Sequence, residues 1–239
     1  MGVERVCRYK GIQLKVIAMW KITVLLVLAL LLYDSSIVHA DGEWRLRKDE
    51  DNIQVYTRNV DSSPFDAVRT VTVMQDVRLS ALAALIIDAE ACANWASRCV
   101  ESYIYQRLSE TDAYVYTHSN MPFPIKNRDM LTHAIWSQDA TSLTVRVDSE
   151  ATTGILDDIA GRLRLTQLRL GWIFRPLESG AVEISNEAHI DPGSSLPAWL
   201  ANWLLVSIPF ETMKSFVVEV AKPDYRDAVI SFVREPPAR

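Results

Sequence analysis

Gly171-Trp172-Ile173-Phe174-Arg175-Pro176 leads, one strand later, into Asp191-Pro192-Gly193 and then Leu196-Pro197-Ala198-Trp199-Leu200-Ala201-Asn202. The second part reads as a strand, a turn and the launch of a terminal helix. Ser195 or Leu196 can cap that helix, and Pro197 falls in its first turn, where a missing amide proton costs little. Leu196, Trp199, Leu200, Trp203 and Leu204 make a wide apolar stripe, continued by Ile208, Met213, Phe216, Val217 and Val220. Pro209 should kink or break the helix, because its ring clashes one turn back and a hydrogen bond is lost. Such a stripe suits a core helix packed on a sheet. It equally suits a lid over a greasy cavity, and two tryptophans four residues apart favour the lid.

Working outward, residues 53–58 alternate and are rich in β-formers, and residues 67–74 repeat the pattern after Asp61-Ser62-Ser63-Pro64, a turn-forming run. Residues 79–89 change period: Leu79, Leu82, Ala83, Leu85 and Ile86 share one helical face. Strands are then predicted over 100–108, 113–120, 130–137, 143–148, 162–174 and 181–190, with Glu178-Ser179-Gly180 as the last hairpin turn. Strands in series with segregated helices predict an α+β fold built on an antiparallel sheet. A large antiparallel sheet twists and curls. Its concave face is then filled by side chains, covered by a helix or left as a ligand cavity.

The amino-terminal forty residues carry Arg5, Arg8, Lys10, Lys15 and Lys21, then an apolar run from 22 to 33 and Val38-His39-Ala40. This is the layout of a signal peptide cleaved after Ala40. The rival is a retained anchor, but Lys21 cuts the apolar run short of the roughly 20 residues a span needs. The protein is therefore expected to be exported, to a periplasm or beyond the cell. Residues 41–234 suit one domain with a sizeable core, followed by a loose Pro-rich tail, 235–239. Without the leader, 20 basic residues face 28 acidic ones, a net charge of −8. That balance argues against nucleic acid and against strong docking on anionic lipid. Cys7 lies in the leader, leaving Cys92 and Cys99. In an exported chain such a pair reads as a disulfide more readily than as a metal site. On one straight helix they would stand ~10 Å apart, beyond disulfide reach, so a bond requires the chain to turn between them. Two buried free thiols are the other reading.

Enzyme signatures are missing. The chain has no Gly-x-Ser-x-Gly elbow, no His-Glu-x-x-His and no phosphate loop. His118, His133 and His189 are isolated in predicted strands, although His118 and His133 could meet across neighbours. Asp157-Asp158 with Glu150 lacks the glycine and terminal Glu of a calcium loop. No catalytic constellation, metal site or cofactor is expected. Should the protein be an enzyme of cyclase or aromatase type, Tyr105, Tyr116, His118 and His133 are the candidate acid–base groups. A non-transferring sensor or scaffold is a third reading.

Several patterns, in order, resemble the START family of lipid-transfer domains. Trp44 with Asn52-Ile53-Gln54-Val55-Tyr56-Thr57-Arg58 resembles its opening strand, and Asp88 followed by Trp95 its first-helix exit. Pro122-Phe123-Pro124 before Arg128-Asp129 resembles the loop entering its middle strand. Arg164, Trp172, Pro176, Asp191-Pro192-Gly193, the 196–202 segment, Pro209 and Thr212 resemble its closing half. The resemblance implies a helix-grip fold, a curved antiparallel sheet gripping the C-terminal helix over a hydrophobic tunnel that encloses one lipid. It implies ligand contacts at Trp95, Arg128, Arg164, Trp172, Trp199, Leu200, Trp203 and Leu204. It also implies a gate that touches membrane at Met121, Phe123, Ile125, Trp199 and Trp203. A monomer is expected. Arg128 could offer its planar fork to a carboxylate or phosphate headgroup, or, the preferred reading, fasten the strand entrance. Trp172 is expected in the core more than at the ligand. Sterol-binding relatives place an acid–arginine pair on two middle strands, and alignment puts Ser119 and Ala134 there. That weighs against a sterol and leaves phospholipid, fatty acid or another hydrophobe.

Overall fold

A computed structural model describes residues 42–61, 63–192, 200 and 203–237. Strands β1 (Arg45–Glu50) and β2 (Ile53–Arg58) are joined by Asp51 and Asn52 at φ 53° and 59°. Two consecutive left-handed residues form the turn whose twist suits a two-residue hairpin. β1 was not predicted, because Arg-Leu-Arg-Lys-Asp-Glu has no apolar alternation and the strand is an exposed edge. β3 (Ala67–Met74) follows, with the bounds expected for it.

Helix α1 (Leu79–Ile87) buries Leu79, Leu82 and Leu85, each worth roughly 1.5–3 kcal/mol on leaving water. No side chain at its own start caps it. The Glu235 carboxylate instead accepts the amide protons of Leu79 and Ser80 at 2.9 and 2.8 Å, which also suits the positive end of the helix dipole. The tail expected to be loose is thus fastened at its first residue. Val233, just upstream, is buried in the core.

A short 3₁₀ turn (Ala89–Ala91) and α2 (Cys92–Trp95) lead to β4 (Cys99–Arg107), β5 (Asp112–Ser119), β6 (Asn127–Gln138) and β7 (Val145–Ala151). The strand predicted over 162–174 is two strands. β8 (Arg162–Arg164) pairs in parallel with the start of β6, whose later half is taken by β7. After residues 165–167, β9 (Leu168–Pro176) joins the main sheet. Gly180, at φ +88°, turns β9 into β10 (Val182–Ile190), a conformation glycine adopts without Cβ strain.

The result is a ten-stranded sheet in the order β1-β2-β3-β10-β9-β7-β6-β5-β4, with β8 beside β6. Apart from the β8 pairing, every ladder is antiparallel. This is the expected α+β helix-grip architecture.

The chain returns as a π-helical stretch, Trp203–Ser207, continued by α3 (Ile208–Val220). Pro209 falls in the first turn of α3 rather than inside a continuous α-helix. Its missing amide proton is an orphan there, and the wider π winding absorbs the break. Phe210, Met213, Phe216 and Val220 are buried against Ile53, Val55, Phe174 and Ile184 of the sheet. A last short helix, α4 (Pro223–Arg226), precedes the C-terminal segment.

Candidate functional site

Strand side chains alternate between faces, and the registers decide which set faces α3. Ala113, Val115, Thr117 and Ser119 of β5 stand opposite Ala134, Thr132, Met130 and Arg128 of β6. The first seven of these line a hollow of about 350 Å³. Val147 and Ser149 of β7, Leu170 and Trp172 of β9, and Asn186, Ala188 and Ile190 of β10 extend its floor. Ile208, Pro209 and Thr212 roof it, and Ile86, Cys92, Trp95 and Cys99 close its side.

A second hollow of about 210 Å³ shares Ser119, Met130, Ala188, Ile190, Ile208 and Pro209 with the first, so the two adjoin. Its remaining walls include Phe65, Val68, Met121, Arg128, Leu165, Leu204 and Leu205. The second alone is smaller than the usual small-molecule site, roughly 300–1,000 Å³, but the two taken together fall within that range.

At the inner end, three rings make a cluster. Trp172 stacks on Phe216 at 4.6 Å, and Trp95 meets Trp172 edge-on at 5.8 Å and Phe216 at 5.3 Å. Trp172 is therefore both core and wall. The Trp95 indole N–H is buried without an acceptor among the described residues.

Cys92 and Cys99 are disulfide-bonded with Cα atoms 5.9 Å apart. The turn that the pairing requires is made where α2 ends and Arg98 takes φ 73°. This loop also contacts the C-terminal helical segment. The Ser97 amide donates to Thr212 Oγ1 at 3.1 Å, and the Arg98 guanidinium lies 4.7 Å from the Trp203 ring centre.

The expected site residues divide. Trp95, Trp172, Arg128 and Leu204 line the hollows. Leu200 is buried but is not among their walls, and Trp203 is half-buried under Arg98. Trp199 lies outside the described residues. Arg164, expected at the ligand, is on the opposite face of the sheet. It grips Asp129 with two hydrogen bonds of 3.0 and 2.9 Å, the pair being 7% and 1% exposed. Arg164 also donates to the carbonyls of Leu156 and Asp157, so it binds the 152–161 loop to the sheet. The hydrogen-bonded Asp129 carboxylate holds its guanidinium above the ordinary arginine range.

Arg128 and Asp129 are neighbours in β6 and point to opposite faces. Asp129 also accepts the Tyr116 hydroxyl at 3.2 Å. The Arg128 guanidinium, 6% exposed, donates to the carbonyl oxygens of Lys126 and Pro192. Burial pulls it below the ordinary arginine range. The fastening role expected of it is real, and it is also a cavity wall.

Of the residues expected at a gate, Phe123 is 97% exposed, Ile125 is half-buried, and Met121 walls the second hollow. Tyr105, Tyr116, His118 and His133 line neither hollow. His118 and His133 do not meet: His118 sits opposite Asp129, and His133 opposite Tyr114 with Nε2 2.6 Å from Asp112 Oδ1. No acidic or histidine cluster suited to a metal occurs among the described residues.

The residues missed by sequence reasoning are the small hollow-facing ones, Thr117, Thr132, Ser149, Asn186 and Ala188. Their only signal is alternation, and both faces of these strands carry apolar residues.

Residues 35–223 match the START domain, and the chain belongs to that family. An uncharacterised protein of Pseudomonas aeruginosa is 31% identical over 173 residues, covering 72% of this chain and 84% of its own. Human phosphatidylcholine transfer protein is 20% identical over 69% of this chain and 77% of its own. Among solved structures, a STAR-related lipid transfer protein from Xanthomonas axonopodis is 29% identical and superposes with a TM-score of 0.68, over 76% of this chain and all of that one. Human STARD10 shares the fold at 20% identity, with a TM-score of 0.67 over 78% of this chain and 76% of its own.

Proposed function

We propose that the protein binds one hydrophobic ligand, a lipid, in the paired hollows and exchanges it with membranes as an exported monomer. The observation that carries this reading is the contiguous void between the concave strands and α3, walled mainly by apolar and small side chains. Enclosing an acyl chain there removes each methylene from water, worth about 0.8 kcal/mol. Inside a bilayer that gain is already present, so exchange is limited by opening the lid rather than by the chain's affinity for water or oil. The 120–126 loop supports a membrane-touching gate, since it presents Phe123 almost fully exposed beside Met121 at the cavity wall. Small, uncharged Ser119 and Ala134 among the cavity walls support an acyl lipid over a sterol.

Native mass spectrometry of protein purified from its own host tests binding directly. The expected spectrum contains one co-purifying lipid per chain, and a ligand-free mass with no uptake from vesicles would overturn the reading. Phe123→Ser should slow transfer between vesicles several-fold while changing stability by no more than about 0.5 kcal/mol. An unchanged transfer rate would remove the loop from the gate. Culture fractionation tests export, with the processed chain beginning near Asp41 as the expected product.

A further inference from the structure

We infer that the ligand carries an oxyanion, a carboxylate or phosphate, which docks on Arg128 in the smaller hollow while its tail fills the larger one. This rests on the lipid-binding reading above. Arg128 is the charged residue among the walls of the 210 Å³ hollow; the others are Phe65, Val68, Met121, Leu204 and similar apolar groups, with one hydroxyl, Ser119. A guanidinium in such a lining is expensive to bury, because its hydration is lost. Carbonyl dipoles from Lys126 and Pro192 offset part of that cost. Burial still disfavours its charged form, and an anion arriving from the cavity would relieve this by a charge-assisted, bidentate contact.

The charged walls of the larger hollow, Arg107, Glu110 and Asp112, lie at the opposite end of β5 from Ser119, which pairs with Arg128. The carboxylate adjacent in sequence, Asp129, is on the other face and held by Arg164. The larger hollow meets the smaller through Ser119, Met130 and Ile190, so a tail can run from Arg128 towards Trp95 and Trp172.

The two carbonyls add a consequence. Lys126 closes the 120–126 loop, and Pro192 lies just past the end of β10. One guanidinium therefore ties that loop to the end of β10, and an anion competing for its donors binds between them.

The test compares ligands that share a tail. Delipidated protein is titrated at pH 8 with oleate, oleyl alcohol, oleoyl lysophosphatidate, and inorganic phosphate or acetate alone. The two acids should bind about tenfold tighter than the alcohol, the size of one charge-assisted contact. Arg128→Gln should abolish that ratio, leaving the alcohol's affinity within about twofold, while Arg128→Lys retains part of it. Equal affinities of acid and alcohol in the unmutated protein would overturn the inference, whether or not the variants fold, and would leave lipid binding intact. Failure of all three tailed ligands to bind would instead sink the lipid-binding reading. Phosphate or acetate binding as tightly as the tailed acids would make this a site for a free anion and overturn the assignment to a lipid head.

Discussion

One end of the curved sheet is solid and the other is hollow, although the same helix covers both. Across β2 and the hairpin ends of β9 and β10, the concave side presents Ile53, Val55, Phe174 and Ile184, which meet Phe210, Met213 and Phe216 of α3. Across β5, β6 and β7, it presents Ala113, Thr117, Ala134 and Ser149, beneath Ile208, Pro209 and Thr212. Side-chain volume makes the difference: large residues close the gap to native density, and small ones cannot reach across it. The first half carries stability, and the second retains space. Trp95, Trp172 and the disulfide stand at their border.

The sharpest way to break this comparison is Phe216→Ala. The side chain is fully buried and touches Trp95, Trp172 and Phe174, so a loss of about 3–5 kcal/mol is expected in chemical denaturation. A loss under 1 kcal/mol would mean that the solid half is not solid. Opening the border disulfide with Cys92→Ser and Cys99→Ser comes next. Closing a loop of this size constrains the unfolded chain by about 2.5 kcal/mol, measurable as a fall in the denaturation midpoint. Ligand exchange should also quicken, because the same loop holds Thr212 and Trp203.

His118, on the outer face of the hollow half, sets a smaller effect. It is buried, neither ring nitrogen has a partner among the described residues, and burial, with Arg162 nearby, pushes its pKa below the ordinary 6.5. The other groups acting on it are Glu101 and Asp129, which oppose the shift. Above pH 6.5 the ring is neutral in folded and unfolded chains alike. As pH falls through that value the unfolded chain is protonated first, and stability drops by up to about 1.4 kcal/mol per pH unit. His118→Asn should flatten that slope between pH 7 and 5, and a slope unchanged by the substitution would assign it to other groups. The smallest change in stability is expected from Ala134→Phe, within about 1 kcal/mol because the ring enters existing space. Lipid uptake should nevertheless be lost. Several kcal/mol of destabilisation with uptake retained would show that Ala134 does not face a void.

Much of this was legible beforehand. The bounds of β2 and β3, the Gly180 hairpin and the start of α1 follow from alternation, turn chemistry and a change of period. The fastening at Glu235 was not legible, since a carboxylate capping a helix 155 residues away leaves no local pattern. Nor was the break at residues 165–167 read: the leucine alternation changes phase there, from Leu163 and Leu165 to Leu168 and Leu170, but the pairing of β8 with β6 is set by a distant strand. Arg164 was misplaced for the same reason. An arginine in a strand looks alike whether it faces a ligand or a buried aspartate.

From the chain of residues alone came the antiparallel α+β plan, the likeness to START domains and the cysteine pair that could close only if the backbone turned. Folding in three dimensions chose the face. Neighbours such as Arg128 and Asp129 must point opposite ways in a strand, but a strand apolar on both sides carries no mark of which way is inward. That choice is made by pairing register and by the helix that settles on one side, and it decides which arginine faces a cavity and which one faces an acid.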